Sequence, residues 1–387
     1  MVHGCRFVLA IAFVTLAPGA ALGADAQAAE PPKGAEDKFV GEYAGTFTPA
    51  GGKAVPGVGY VVAEQRRGEQ GPSYRVVVKA VESGLVQKTV VGWGAKIDQT
   101  ATLRGTEGQG KLALSGGDWK GEIADGKLTA EGKAGKFELT FTVRKSPTEL
   151  AAPPVGAIVL LPYVAGKAPS LGEWANPKWP TSTDGSMMVQ GGDNRTKRQF
   201  DNFRLHLEFM VPPGAKGGGN SGVYILDRYE IQVLDSFGKD RYKGGCAAVY
   251  QTFAPMVNAS LPAGRWQTFD IEFFGPVMKS GEAEKLPVIT VRHNGIVVHK
   301  DVTIPHATGS ARSRGHGAPG PIRLQDHGAP DHYRNIWIEA VSEQFRPRSP
   351  QPPPVEKVTP KKPEKKDSPF TKAQRLLLRE GRGKEDK

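Results

Sequence analysis

The chain has 387 residues, among them 49 glycines and 31 prolines, and a formal net charge of +11 at pH 7, which suits two domains with irregular segments around them. The charge does not indicate a nucleic-acid-binding protein, because residues 346–387 alone hold 13 lysines and arginines against 6 acidic residues, and no predicted strand interleaves basic with aromatic residues. After the first 23 residues no apolar run approaches the length of a membrane span.

The first 23 residues have the pattern of a removed signal peptide. A basic region ends at Arg6, an apolar run covers residues 7–16, and Ala-Leu-Gly at 21–23 suits cleavage. We therefore expect an exported protein, either secreted or periplasmic. The mature chain would keep one cysteine, Cys246, so an intramolecular disulfide is excluded. We expect this thiol to be reduced and buried.

Residues 37–145 predict a small antiparallel β-meander, closed as a barrel or a sandwich. Alternating apolar and polar residues indicate strands at 74–78, 89–91, 111–114 and 137–143. Turns are predicted at 110–111, 125–126 and 135–136. This module holds no cluster of titratable residues that suggests a site, and the sequence does not predict its role.

Residues 146–155 are proline-rich and predict a linker. A second β-rich domain follows over residues 156–342. Its predicted strands are 203–210, 222–226, 229–234, 266–274, 288–292, 296–302, 320–325 and 335–341. Asn294-Gly295, between two of them, is typical of a type I′ hairpin. Many strands and almost no helical periodicity favour an all-β protein, with two packed antiparallel sheets in a jelly-roll-like sandwich.

Residues 346–387 are rich in proline and lysine and predict a disordered tail, because such a segment cannot bury enough apolar surface to fold. Its positive charge predicts a contact with an anionic cell surface. Salt would screen that contact.

Two predicted strands place polar side chains at alternate positions. Glu230 and Gln232 share one face of strand 229–234, and their apolar neighbours share the other. In the second strand and the residues after it, Arg323, Gln325 and His327 share a face in the same way. A sheet face with these side chains suits the binding of a carbohydrate.

Six segments resemble, together and in order, the family known as the 3-keto-disaccharide hydrolase domain. They are GDNRTK at 192–197, GNSGVY at 219–224, YEIQVLDS at 229–236, GRWQT at 264–268, LQDHG at 324–328 and YRNIW at 333–337. The resemblance covers residues 156–342. It implies a concanavalin-like sandwich, export, and substrates in which a glucose-type ring is oxidised at carbon 3. The family's usual Phe-Asp-Gly turn is replaced by PYVAG at 162–166.

The keto group implied by this resemblance determines the expected chemistry. A ketone at carbon 3 acidifies the proton at carbon 2, so the glycosidic bond can break by β-elimination followed by hydration, as an alternative to direct hydrolysis. Such a reaction needs a general base, an acid and a donor to the enolate oxygen. We predict His327 and Glu230 as base and acid. The predicted substrate-binding residues are Arg195, Lys197, Asn220, Gln232, Arg323 and Gln325.

Alternatives accompany each of these predictions. Glu230 could be an ordinary strand carboxylate and His327 a loop cap, in which case Glu208 with His206 is the next pair to consider. No motif has the spacing of a metal site, so no metal or other cofactor is expected, although calcium held by loop oxygens stays open. The alternative function is carbohydrate binding without turnover, because a fold does not determine a function.

Overall fold

The computed structural model describes residues 37–64, 73–81 and 97–348. These residues form strands, turns and two short 3-10 turns at Lys216–Gly218 and Glu343–Phe345, so the predicted all-β class is confirmed. Within the described part of the chain, no helix is long and apolar enough to cross a membrane. The predicted signal peptide, the predicted strand at 89–91 and residues 349–387 of the predicted tail lie outside the described residues.

The first module is a closed barrel of eight antiparallel strands. Each strand pairs with the next along the chain, and the last pairs with the first. The strands are β1 (Gly41–Pro49), β2 (Val55–Glu64), β3 (Ser73–Val81), β4 (Ile97–Gly108), β5 (Lys111–Gly116), β6 (Trp119–Ala124), β7 (Lys127–Gly132) and β8 (Gly135–Thr142). Every second side chain of a strand points into the barrel. In β8, Phe137, Leu139 and Phe141 are buried, whereas Glu138, between the first two, is exposed.

The short connections of the barrel follow from its turn residues. Asp125 and Gly126 both have positive φ, as a type I′ turn requires, and they connect β6 to β7 as predicted. The turn predicted at 135–136 is wrong by two residues. It falls on residues 133–134, and Gly135 already belongs to β8.

The second domain contains two main sheets and a separate hairpin. The strands are β9 (Ile158–Leu161), β10 (Ser186–Met188), β11 (Asn194–Arg195), β12 (Phe203–Met210), β13 (Asn220–Ile225), β14 (Tyr229–Leu234), β15 (Gln267–Phe274), β16 (Val277–Lys279), β17 (Glu282–Lys285), β18 (Val288–His293), β19 (Ile296–Thr303), β20 (Arg323–Leu324) and β21 (His332–Ala340). The larger sheet has the strand order β10-β21-β12-β15-β18-β19, with β9 also paired to β21, the smaller sheet has the order β11-β20-β13-β14, and β16 and β17 form the hairpin. All eight predicted strands are present, with ends shifted by a few residues.

Both sheets contribute to one hydrophobic core. Leu205 and Phe269 of the larger sheet belong to the same buried cluster as Val223 and Ile231 of the smaller sheet. Two antiparallel sheets around a shared core agree with the predicted packing, whereas the jelly-roll order of connections stays a prediction. Cys246 is buried and unpaired, as predicted, and burial raises the pKa of its thiol to about 12.

The predicted linker at 146–155 packs against the larger sheet. Ser146 Oγ lies 2.6 Å from Thr268 Oγ1, and the backbone N–H of Leu150 donates to Glu208 Oε1 at 2.5 Å. Composition alone does not predict these contacts, because they depend on polar partners far away in sequence. The segment therefore covers a buried polar layer rather than only joining two modules.

Two arginines take part in the contact between the barrel and the second domain, where Tyr60 also packs against Phe237. Arg144 forms an ion pair with Glu42 at 2.9 Å and donates to the carbonyl of Ala259. Arg75 donates to the carbonyl of Gly238, which lies in the segment after β14. At the other end of the domain, Arg346 donates to the carbonyl of Gly275, so the first residue of the predicted tail is packed.

Candidate active site

The smaller sheet carries a layer of polar side chains on the face opposite its core. In the β13–β14 hairpin, Tyr224 pairs with Glu230 and Gly222 with Gln232; on the other side of β13, Tyr224 pairs with Arg323 of β20. Tyr224, Glu230 and Arg323 therefore lie side by side across three strands. The residues next to them in sequence point into the core, which confirms the predicted alternation.

Two glycines allow the backbone to approach the Glu230 carboxyl closely. A β-carbon on Gly222 would lie 2.5 Å from Glu230 Oε1, and one on Gly309 would lie 3.1 Å from Oε2. The segment that contains Gly309 is held down by Thr308, whose hydroxyl accepts the Glu230 N–H at 2.7 Å. On the opposite edge, the backbone N–H of Tyr250 donates to the Glu230 carbonyl at 3.0 Å. The polar face is therefore covered rather than open.

This cover changes the acidity of Glu230, whose exposed fraction is 2%. Burial raises the pKa of Glu230 to about 7, although a hydrogen bond from Tyr224 and the charge of Arg323 both act to lower it. The Tyr224 hydroxyl donates to Oε2 at 2.7 Å. A carboxyl with a pKa near neutral can both give and accept a proton, which is the property of a general acid or base.

Arg323 is enclosed by groups of the protein itself. Its guanidinium donates to Asp227, to Asp193 Oδ2 at 2.8 Å and to the carbonyl of Ser310 at 2.9 Å. Its central carbon lies 3.7 Å from the centre of the Tyr224 ring. Because two carboxylates already surround it, Arg323 shapes the site electrostatically, and its predicted contact with substrate stays a prediction.

Asp193 is held by the same cluster. Burial acts to raise the pKa of Asp193, but the backbone N–H of Asp326 and the guanidinium of Arg323 outweigh it and lower that pKa. An ionised Asp193 fixes Arg323 and also the segment that leads to His327, because its Oδ1 accepts the Asp326 N–H at 2.9 Å.

Two side-chain amides connect Glu230 with His327. The Asn220 amide lies 3.0 Å from His327 Nδ1 and 3.2 Å from the Gln232 amide. With its amide nitrogen turned toward the carboxyl, Gln232 donates to Glu230 Oε1 at 3.0 Å and to the carbonyl of Ser221 at 2.9 Å. A continuous hydrogen-bonded chain, here called the amide relay, thus runs from the buried Glu230 through Gln232 and Asn220 to the exposed His327.

The amide relay has one orientation in which each amide group of Gln232 has a partner. His327 Nδ1–H donates to the Asn220 oxygen, Asn220 donates to Gln232, and Gln232 donates to Glu230. With the Gln232 amide reversed, its oxygen would face the Ser221 carbonyl, which cannot donate a hydrogen bond. In a neutral ring, a proton on Nδ1 leaves His327 Nε2 bare, and a bare ring nitrogen can accept a proton.

The other predicted residues fall into two places. Gln325 belongs to the Glu230 layer, with its amide nitrogen 3.5 Å from the Tyr224 hydroxyl. Arg195 and Lys197 line a separate open groove with a volume of about 560 Å³. The structure therefore brings Glu230, Gln232, Asn220, His327, Arg323 and Gln325 together, and it places Arg195 and Lys197 on the neighbouring surface.

The alternative pair, Glu208 with His206, lies on the larger sheet beneath the linker. Arg334 Nε donates to Glu208 Oε2 at 2.7 Å, and His206 Nδ1 donates to Asp270 at 2.7 Å. Burial acts to raise the pKa of Glu208, but His206 and Arg334 outweigh it and lower that pKa. Together with the Leu150 N–H, these contacts indicate that the pair anchors the linker.

Tyr224, Asp193, Asp227 and Thr308 belong to the site although sequence reasoning did not select them. The register of a tight hairpin could have identified Tyr224, since a short connection between β13 and β14 places it opposite Glu230. No local pattern identifies Thr308, which lies 78 residues from Glu230. Within residues 37–64, 73–81 and 97–348, no group of three or more His, Cys, Asp or Glu side chains could hold a metal ion.

Comparison with known proteins gave one match to a family model and two to solved structures that we report here. The model of the 3-keto-alpha-glucoside-1,2-lyase-like domain family matches residues 157–339, which confirms the resemblance predicted for 156–342. A "putative glycosyl hydrolase" from Parabacteroides distasonis ATCC 8503 is 34% identical over 48% of this chain and 84% of its own, with a TM-score of 0.44. Another structure of that name from the same organism is 23% identical over 48% of this chain and 99% of its own, with a TM-score of 0.35. No curated protein matches significantly.

Proposed function

We propose that this chain, which belongs through residues 157–339 to the 3-keto-alpha-glucoside-1,2-lyase-like domain family, cleaves glycosides whose glucose-type ring carries a ketone at carbon 3. The observation that carries this proposal is the buried Glu230, whose pKa of about 7 and amide relay to His327 provide two linked proton carriers on one face. A keto sugar needs such groups, because its glycosidic bond can break once the proton at carbon 2 is removed.

In the proposed reaction, neutral His327 removes the proton from carbon 2. The electron pair of that C–H bond forms an enolate with the carbon-3 ketone, and collapse of the enolate expels the glycosidic oxygen from carbon 1. Protonated Glu230 supplies the proton that the leaving oxygen needs. The ring is left with a double bond between carbons 1 and 2, and addition of water across that bond completes the cleavage.

The enolate oxygen needs a donor, and Gln325 is the proposed one. Its amide nitrogen lies beside the Tyr224 hydroxyl on the same face as Glu230. Arg323 contributes its positive charge to the site from behind Tyr224 while its N–H groups remain on Asp193, Asp227 and Ser310. A preorganised donor such as the Gln325 amide stabilises developing negative charge without reorganisation during the reaction.

The test is to incubate the purified chain in D₂O with 3-keto-trehalose or a chromogenic 3-keto-glucoside, beside the unoxidised sugars. Elimination followed by hydration incorporates deuterium at carbon 2 of the released sugar, whereas direct hydrolysis leaves that position unlabelled in the first turnovers. Cleavage of the keto sugar with label at carbon 2 would support the full proposal. Cleavage without label would support the proposed substrate and would indicate direct hydrolysis in place of elimination.

The second candidate is carbohydrate binding without turnover. One observation favours it: segments that contain Tyr250 and Thr308 cover Glu230, leaving 2% of the residue exposed. A binding protein does not require a substrate to reach this carboxyl. It would bind sugars at the exposed His327 and the half-buried Asn220 and cleave neither the oxidised nor the plain form. For either function we propose export and a secreted or periplasmic location.

A further inference from the structure

A cationic groove lies beside the Glu230 layer. Arg195, Lys197, Arg228 and Arg312 line it, with Asp227 at its base. A recess of about 280 Å³, also lined by Arg195 and Arg312, continues the groove as far as Arg323 and Asp193. The two hollows share Ala175 as well, so they form one continuous surface.

The carboxylates of this region already bind arginines of the protein. Asp227 and Asp193 both bind Arg323, and Asp193 also accepts from Arg312 at 3.0 Å. The carboxylates therefore balance the buried Arg323 and only part of the groove. An additional anion would not have to displace them.

Three cations of the groove have no carboxylate partner among the residues that the structure describes. Arg228 donates to the carbonyls of Gly315 and Leu226, and Lys197 donates to that of Gly172. The guanidinium of Arg195 has neither a hydrogen bond nor an ion pair within the described ranges. Three uncompensated positive charges on one concave surface repel one another, and an anion bound there would relieve that repulsion.

We propose that this groove binds an oxyanion, a carboxylate, sulfate or phosphate group, carried by the glycoside whose bond is cleaved at Glu230. The planar guanidinium presents paired N–H donors that match the oxygens of such groups. Arg228 is already oriented by its two backbone carbonyls, and a β-carbon on Gly317 would lie 2.9 Å from Arg228 Nη2. The backbone at Gly317 thus packs closely against this guanidinium.

The groove and the Glu230 layer share one covering segment. Residues 308–312 begin at Thr308 and Gly309, against Glu230, and end at Arg312 in the groove wall. Between them, Ser310 binds both Arg323 and the Tyr224 hydroxyl. A ligand that spans this segment would have its sugar at Glu230 and its charged substituent at the arginines. The assignment of the carrier as a glycoside rests on the proposed function, whereas the anion site does not.

Calorimetric titration of the full chain with methyl glucuronide and with glucose 6-phosphate tests the site, with methyl glucoside as the uncharged control. Binding of either charged sugar identifies the preferred oxyanion, and Arg195→Gln and Arg228→Gln should each weaken it about tenfold or more. Arg204→Gln is the matched control, because Arg204 is exposed on the larger sheet and pairs with Glu272 there. Arg195→Gln removes no hydrogen bond of the described structure, so folding does not complicate its result.

Absence of saturable binding for both charged sugars would overturn the proposal, as would equal weakening by the three variants. A separate experiment tests whether a glycoside carries the anion. It compares two 3-keto-glycosides that are identical except that one has a carboxylate. Groove variants should raise KM for the acidic substrate more than for the neutral one. If neither keto-glycoside is cleaved while charged sugars still bind, the proposed function fails and the anion site remains.

Discussion

The Tyr224 hydroxyl donates a 2.7 Å hydrogen bond to Glu230 Oε2. Burial and the neighbouring Glu230 both raise the pKa of Tyr224, so this hydroxyl remains a donor throughout the neutral range. Its ring separates Glu230 from the Arg323 guanidinium, which lies on that ring rather than on the carboxyl. Arg323 therefore lowers the pKa of Glu230 by less than a direct ion pair would, and burial has the larger effect.

Glu230→Gln should become more stable relative to the wild type as pH rises from 5 to 8. The pKa of Glu230 is about 7 in the folded chain, above its ordinary value of 4.5. The folded state therefore binds this proton more tightly, and its stability falls as pH rises through the folded pKa. The expected gain at pH 8 is at most about 3 kcal/mol, measured as melting temperature across the pH range.

Glu122→Gln, an exposed carboxylate of the barrel, serves as the control for that measurement. A difference between Glu230→Gln and the wild type that does not change with pH would mean that Glu230 titrates at its ordinary value.

Gln232→Glu should extend activity to higher pH. The variant places a second carboxyl where the Gln232 amide lies 3.0 Å from Glu230 Oε1, and a like charge raises the pKa of its neighbour. Because the protonated form of Glu230 is the proposed acid, the alkaline limb of the pH–rate profile should move upward by about one unit or more. The nearly isosteric, uncharged Gln232→Met should lower the rate without that shift. If the alkaline limb of the Gln232→Glu profile does not move, the side chain at position 232 does not affect the pKa of Glu230.

The sequence predicted the parts of this site that depend on strand periodicity, and it missed those that depend on distant contacts. Glu230 and Gln232 alternate with core residues, so their shared face was predictable. The segments that cover Glu230 were not predictable, because Thr308 and Tyr250 reach Glu230 through tertiary packing. The two-residue strand Asn194–Arg195 is likewise too short to give a periodic signal.

The linker shows the same limit. Its prolines predict an irregular segment correctly, but composition contains no information on where the backbone hydrogen bonds of such a segment go. The Leu150 N–H finds Glu208 on a strand 58 residues away. The sequence offers Glu208 with His206 as the next pair to consider after Glu230 and His327, and the partners of this pair in the structure indicate a structural role.

Glu208→Gln should destabilise the protein without affecting the chemistry of the folded fraction. The carboxylate lies between Arg334 and His206 and accepts the Leu150 N–H. Removal of one partner from a buried ion pair costs about 3–5 kcal/mol, since the remaining charge is left uncompensated. Chemical denaturation measures the loss, and kcat of the folded enzyme at low temperature should match the wild type. A selective fall in kcat with unchanged stability would restore Glu208 as a catalytic candidate.

Removal of residues 349–387 should leave melting temperature and activity unchanged. The described domain ends with Arg346, which donates to Glu343 at 2.6 Å and to the carbonyl of Gly275. A matched truncation after residue 341 removes these contacts and should lower the melting temperature. Equal behaviour of the two truncations would show that the Arg346 contacts contribute nothing to stability.

The central claim is that Glu230 and His327 act together on a 3-keto sugar. Glu230→Gln keeps the shape of the side chain, and His327→Ala removes an exposed ring, so neither should open a core cavity. His306→Ala is the control, since His306 is exposed and bonds only the adjacent Ala307 carbonyl among the described residues. All three variants should bind substrate, and none should have a melting temperature below that of the wild type near pH 6.

The most direct test is the turnover of a chromogenic 3-keto-glucoside by the wild type and these three variants under one set of conditions. The account predicts that the wild type cleaves the keto sugar and not the plain glucoside. It also predicts that Glu230→Gln and His327→Ala each lose about 10²- to 10⁴-fold in kcat, while His306→Ala keeps its activity. Wild-type turnover in both Glu230→Gln and His327→Ala would contradict it, and binding of sugar by a wild type that cleaves neither form would establish carbohydrate binding instead.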